Sequence, residues 1–352
     1  MERQPPDEQI PWWASRLLRD RRYADYMAER LARALVGTDE GPFLVFRRRR
    51  FVNWLSDELF ANRPYDDLVQ KLITSSGLWT DSPAANFITA TMTEDGEPDE
   101  IRLAGRTTRA FLGVRLDCMQ CHDDNLGGQW AQTDFHELAA FFSEAQMTAL
   151  GLRDHPRAYD YKYLDAEAET TVTPDVPSDE ALLKRPGKRR QRLAQWVTDS
   201  RNKVFSRATV NRAWALLFGL PLVDPVDNLS LEGPYPPGLE TLAEDFETHG
   251  YVLHRLWKVM ALARPFQLDS RLPGGVSAAH DQNWASFPLT RLRPEQVAGA
   301  LLQSARLTTI NADAHILVRL ARFEQQGNFF NARGTLARTN SRNNRARFRN
   351  GW

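Results

Sequence analysis

Apolar residues recur at helical spacing along most of this chain, and the strict alternation of a half-buried strand is scarce. That periodicity restricts the fold to a mainly α architecture. Trp13, Leu17, Leu18, Met27, Leu31 and Leu35 carry the pattern first, and the basic residues at 19–22 predict a break into two helices. Phe51, Trp54, Leu55 and Leu59, then Leu68 and Leu72, repeat it on either side of an Asn62-Arg63-Pro64 turn. A further helix is predicted from about residue 101 to 116 on Leu103, Thr107, Ala110, Phe111 and Val114. Asp134 with Glu137 three residues on predicts a capping box, opening a helix that runs through Ala140 and Ser143 to Met147.

Between residues 151 and 187 the text changes to Pro, Asp, Glu and Thr with few large aliphatics, which predicts a linker. Helical patterns resume at 190–197, 205–218, 239–246 and 253–262. The second of these should stop at Gly219, with Pro221 preventing continuation. A last helix is expected after Pro294. The expected organisation is two helical domains, 1–150 and 188–330, joined by a Pro/Asp/Glu-rich linker at 151–187. Residues 331–352 hold six arginines and read as a basic disordered tail.

Composition removes several classes. An apolar content of 42% excludes a disordered chain. Forty-five basic residues balance forty-five acidic ones, so the footprint of a general nucleic-acid binder is missing. The basic runs at 47–50 and 188–192 each adjoin a predicted helix and read as solvated faces. No apolar run reaches the roughly 18 residues of a bilayer span. The opening MERQPPDEQIPWW lacks the apolar stretch of an export signal.

The chemistry-bearing feature is Cys118-Met119-Gln120-Cys121-His122, which contains both cysteines of the chain. Random placement would produce this spacing about once in ten thousand such chains, so chance is a poor explanation. Two thiols near one helical turn apart suit thioether bonds to the two haem vinyl groups, and the adjoining His122 suits the proximal iron position. Haem c is the leading reading, with His136 preferred over Met147 as a second iron ligand. One iron cannot take both, because eleven helical residues separate them by roughly 16 Å. Three other readings stay open. A zinc site would draw on Cys118, Cys121, His122 or His136, and Asp123 or Asp124. A dithiol switch would lack the βαβ context of thioredoxin-like sites. Inert packing is the third. His155, His249, His254, His280 and His315 show no ligand spacing.

The segment RAFLGVRLDCMQCHDDNLGGQWAQTDFHELAAFF resembles a characteristic stretch of planctomycete proteins built from two paired domains of unknown function, numbered 1549 and 1553, which often accompany a cytochrome c domain. RRQRLAQWVTD, FSRATVNRAWALLFGLPLVDPVDNLS, FETHGYVLHRLWKVMALARPFQ and FPLTRLRPEQVAGALL resemble the second domain in order, so the likeness spans about residues 12–335. The resemblance implies a mainly helical fold, export to a periplasmic or secreted location, and no established activity. Family members usually read Cys-x-x-Cys-His-x-His-Pro-Phe. Here Asp124 stands at the second histidine and Asn125-Leu126-Gly127-Gly128 replaces the Pro-Phe turn, which puts a metal site using that histidine in doubt. The family also continues beyond GTL where this chain turns to arginines, so a fragment is expected.

A second polar constellation comprises Asn211, Arg212, Asp224 and Asp227. It would serve either as a pocket for a polar ligand such as a sugar or as a buried Arg212–Asp227 ion pair tying a loop onto its helix, and the ion pair is the expectation. No G-x-S-x-G, P-loop or H-E-x-x-H is present. The functional expectation is an exported haem-bearing redox protein with a redox partner. The alternative is a polysaccharide-binding module, motivated by ten tryptophans and the Arg212 region, whose cysteines are a structural disulfide or metal site.

Overall fold

The computed structural model describes residues 5–37, 46–78, 80–123, 130–164, 166–177, 186–230 and 233–290, together with 292, 296, 297, 300 and 301. Met1–Pro288 form one compact unit, and Leu289–Trp352 are a separate one. Of the second unit, residues 296, 297, 300 and 301 are helical, as expected after Pro294. The expected basic tail lies outside the described residues.

The first unit is mostly helical, in agreement with the periodicity. α1 (Pro6–Leu18) and α2 (Arg21–Val36) divide where the basic residues predicted, because Asp20 accepts the Arg22 N–H at 2.9 Å and starts the second helix. α3 (Arg48–Phe60) packs against α2 and turns at Asn62 into α4 (Tyr65–Thr74). A short α5 (Asn86–Thr89) precedes α6 (Glu100–Thr107), which continues as a π-turn over Thr108–Leu112 and stops at Gly113. α7 (Gln132–Ala140) packs on α6.

Two corrections arise here. Asp134 does cap α7, but from inside its first turn, accepting the Ala131 N–H at 2.7 Å. The helix also ends at Ala140: Met147 lies in a hairpin of β1 (Ala145–Thr148) with β2 (Gly151–Asp154), opposite Leu152. Met147 and His136 therefore share no helical row.

Residues 151–177 are not a free spacer. They contain β2 and a small antiparallel pair, β3 (Asp160–Tyr161) with β4 (Thr170–Thr171), and they bury Leu152, Tyr159, Val172 and Val176 in the core. Then come α8 (Arg189–Thr198), α9 (Lys203–Phe218), α10 (Pro237–Thr248), α11 (Leu253–Leu262) and a short α12 (Ala278–Gln282). α9 stops as expected at Gly219, whose φ of 84° is open to glycine and whose N–H returns to the Ala215 carbonyl at 2.9 Å.

One continuous apolar core runs from Ala24 to Met260. α4 packs on α8, and Tyr65 stacks on Phe205 with ring centres 5.7 Å apart. Arg190 corrects the reading of residues 188–192 as a solvated face: it is 1% exposed and bonded to Asp154, Ile73 and Ser75.

Candidate functional site

Cys118 lies on a 3-10 turn, Asp117–Gln120, that follows the π-turn end of α6, and Cys121 caps that turn. Short 3-10 turns suit a connector, and here the turn closes through the Cys121 N–H to the Cys118 carbonyl at 3.3 Å. Met119 points into the core and anchors the turn. Cys118, Cys121 and His122 face solvent, and both thiols are free. The His122 Nδ1 lies 2.7 Å from the Asp123 carbonyl oxygen. Donation to that carbonyl fixes the tautomer and leaves the Nε2 lone pair outward, the arrangement usual for a ligating imidazole. The donor set of two free thiols and one oriented imidazole therefore fits a covalently attached haem.

The rest of the neighbourhood supports the turn from below. His136 is fully buried on α7, with Nδ1 2.9 Å from the Tyr159 hydroxyl and Nε2 3.1 Å from the Gln120 carbonyl oxygen. The Tyr161 ring stacks on its imidazole at 3.5 Å between centres. Burial pulls the His136 pKa below its ordinary value, so the ring is neutral at pH 7. Burial likewise raises the Tyr159 phenol, which stays a hydrogen donor. With both nitrogens engaged, His136 is a hydrogen-bonded core residue in this arrangement and offers no free lone pair. Asp123 accepts the Gln132 N–H at 2.8 Å, so the start of α7 is tied to the end of the motif.

For zinc, no three His, Cys, Asp or Glu side chains converge among the described residues. Asp124 and residues 125–128 lie outside them. The crevice between Ala104, Leu138, Leu193 and Trp196 is apolar and too narrow to hold even a water molecule, so it is no ligand pocket.

The second constellation is rearranged relative to expectation. Asn211 is fully buried, accepts the Leu222 and Val223 N–H groups at 2.9 Å each, and donates to the Val223 carbonyl at 2.8 Å. It is a loop clamp. Arg212 and Asp227 do not form the expected pair. Arg212 donates to the main-chain carbonyls of Arg109, at 2.7 Å, and Ala110, while Asp227 holds Arg115 at 2.8 Å. Burial lowers the Arg212 pKa, though a guanidinium stays charged. Asp224 is exposed. These contacts grip residues 109–115, the lead-in to the cysteine turn. Sequence reasoning missed Tyr159, Tyr161 and Gln132, whose only signal was their proximity to residues already singled out.

Fold and site together define a mainly helical protein that presents a dithiol–imidazole turn on a braced surface. Residues 3–147 match the family described as protein of unknown function (DUF1549), and residues 189–347 match protein of unknown function (DUF1553). The chain thus carries paired domains of unknown function, in that order. Comparison with curated proteins and with solved structures gives no match.

Proposed function

We propose that this protein is an exported redox protein carrying one c-type haem, joined through Cys118 and Cys121 and ligated by His122. The observation that carries the reading is that both thiols and the imidazole are presented outward on one short turn, with the His122 Nδ1 at a main-chain carbonyl. Each thiol would add across a vinyl group, its proton and sulfur going to the two vinyl carbons. When bound, the haem supplies one-electron transfer at a potential set by its axial ligands and exposure. His122 orients its Nε2 by donating from Nδ1, and Met119 anchors the turn. A redox partner would meet this exposed face. No helix among the described residues is long and apolar enough to cross a membrane.

The polysaccharide reading lacks comparable support, since Arg212 and Asp227 are spent on the lead-in segment. The test is a pyridine haemochrome spectrum and intact mass of the chain exported in a host with haem-maturation machinery. A c-type haem band with the mass of one haem is expected, and both should vanish in Cys118→Ser/Cys121→Ser. An unmodified mass for the wild-type chain overturns the proposal.

A further inference from the structure

We propose that the main-chain carbonyl of Gln120 is the positioning point of the Cys118–Cys121 pair, and that His136 is its central positioning residue. Three side chains donate to that one oxygen: His136 Nε2, Gln132 Nε2 and the Tyr161 hydroxyl, each at 3.1 Å. Gln120 itself is exposed, and a carbonyl in a surface turn is ordinarily satisfied by water. Here the donors come from α7 and from β3, so separate stretches of chain converge on a single atom.

The direction of each bond follows from burial. A fully buried imidazole needs both nitrogens satisfied. The Gln120 carbonyl oxygen can only accept, so the hydrogen of the neutral ring sits on Nε2 and points at it, which leaves Nδ1 to accept from the Tyr159 hydroxyl. Tyr161 stacks on the same ring while its hydroxyl reaches the same carbonyl, so ring and oxygen are fixed relative to each other. Fixing this carbonyl fixes the Gln120–Cys121 peptide plane. The Cys121 N–H, part of that plane, closes onto the Cys118 carbonyl. The separation of the two thiols is therefore governed by the clamp.

The inference rests on the proposed function only for what the thiols bind, so its test is made on the haem-free full chain. Cys118–Cys121 disulfide is measured by mass after equilibration in glutathione redox buffers. In His136→Asn the side-chain amide reaches only as far as Nδ1, and the equilibrium should shift by up to about tenfold, the limit for a buried hydrogen bond whose strength differs fully between the dithiol and disulfide turns. In His136→Gln the amide nitrogen takes the place of Nε2, and the shift should stay within about twofold. Tyr161→Phe keeps the stack, loses one donor and should shift it by about threefold. A lower unfolding midpoint with an unchanged disulfide equilibrium in His136→Asn overturns the inference, as does identical behaviour of the Asn and Gln variants. If His136→Asn does not fold, Tyr161→Phe decides, and an unchanged equilibrium there is the refuting result. Missing haem on the wild-type chain in the maturation host overturns the proposed function alone, because the thiol measurement stands without it.

Discussion

Arg190 is the side chain whose loss should damage this protein most. It lies at the start of α8, in the second family domain, yet its partners lie before residue 155. Its Nε donates to Asp154 at 2.6 Å, and its NH1 donates to the Ile73 and Ser75 carbonyls at 2.8 Å each. Those carbonyls end α4, where a cation also meets the negative end of the helix dipole. Arg190 is 1% exposed and the Asp154 side chain 11%, so solvent screens the pair weakly. Replacing Arg190 by Met fills the volume but strands a buried carboxylate, at a cost of about 3–5 kcal/mol. Two orphaned carbonyls add about 1 kcal/mol or more. Lys188, 3.7 Å from Asp154 and 58% exposed, offers little compensation. Against a total stability of roughly 5–15 kcal/mol, that loss should move the urea midpoint far toward zero. Arg190→Lys should recover part of it, lacking the fork. Arg190→Met/Asp154→Leu should recover more, because no charge is left stranded. Urea unfolding followed by tryptophan fluorescence reads all three. A loss within about 1 kcal/mol for Arg190→Met refutes the argument, since one stranded buried charge alone exceeds it.

Asn211→Ala should cost about 2–3 kcal/mol, because it strands two N–H groups and a carbonyl of the 222–223 loop, and a urea titration against wild type checks it. Stability should also depend on pH in the histidine range. Burial holds the His136 and His254 pKa values below normal, so the unfolded chain takes up protons first. The stabilisation is complete above about pH 6.5 and is lost as pH falls from there through the folded-state values. Urea midpoints at successive pH values should drop on this acid side, and His136→Gln with His254→Gln should flatten the slope.

The helices were legible because their signals are local: a 3.6-residue stripe, Asp20 ahead of α2, Gly219 after α9. The hairpin after α7 was not. Phe135, Leu138, Ala139 and Phe142 keep a helical stripe up to its edge, and strands of four residues are too short to show alternation. Arg190 was misread because its partners lie more than thirty residues away, and a run of basic residues carries no mark of which member turns inward. The cysteine turn itself could be read from spacing alone. What holds it could not, since His136, Gln132 and Tyr161 meet at a main-chain oxygen that has no sequence identity.

That same anonymity explains what the second domain does for the first. Arg212 and the Leu229 N–H bind the carbonyls of Arg109, Ala110 and Gly113, and Asp227 adds the Arg115 side chain. Four successive ties thus fix residues 109–115 from one side. Gly113 lets the two domains approach this closely: with φ 63°, a Cβ there would stand 3.1 Å from Ala208 and Leu229 side-chain atoms, inside comfortable contact. The chain then runs two residues past Arg115 into the cysteine turn, which the Gln120 clamp fixes from the other side. A surface turn with free ends would let its thiols wander through many separations. With the lead-in held by the second domain and the exit held by α7, the first domain alone lacks half of what orders the turn. The pairing of the two domains on one chain therefore has a physical basis at the cysteines, about ninety residues from where the second domain begins to supply it.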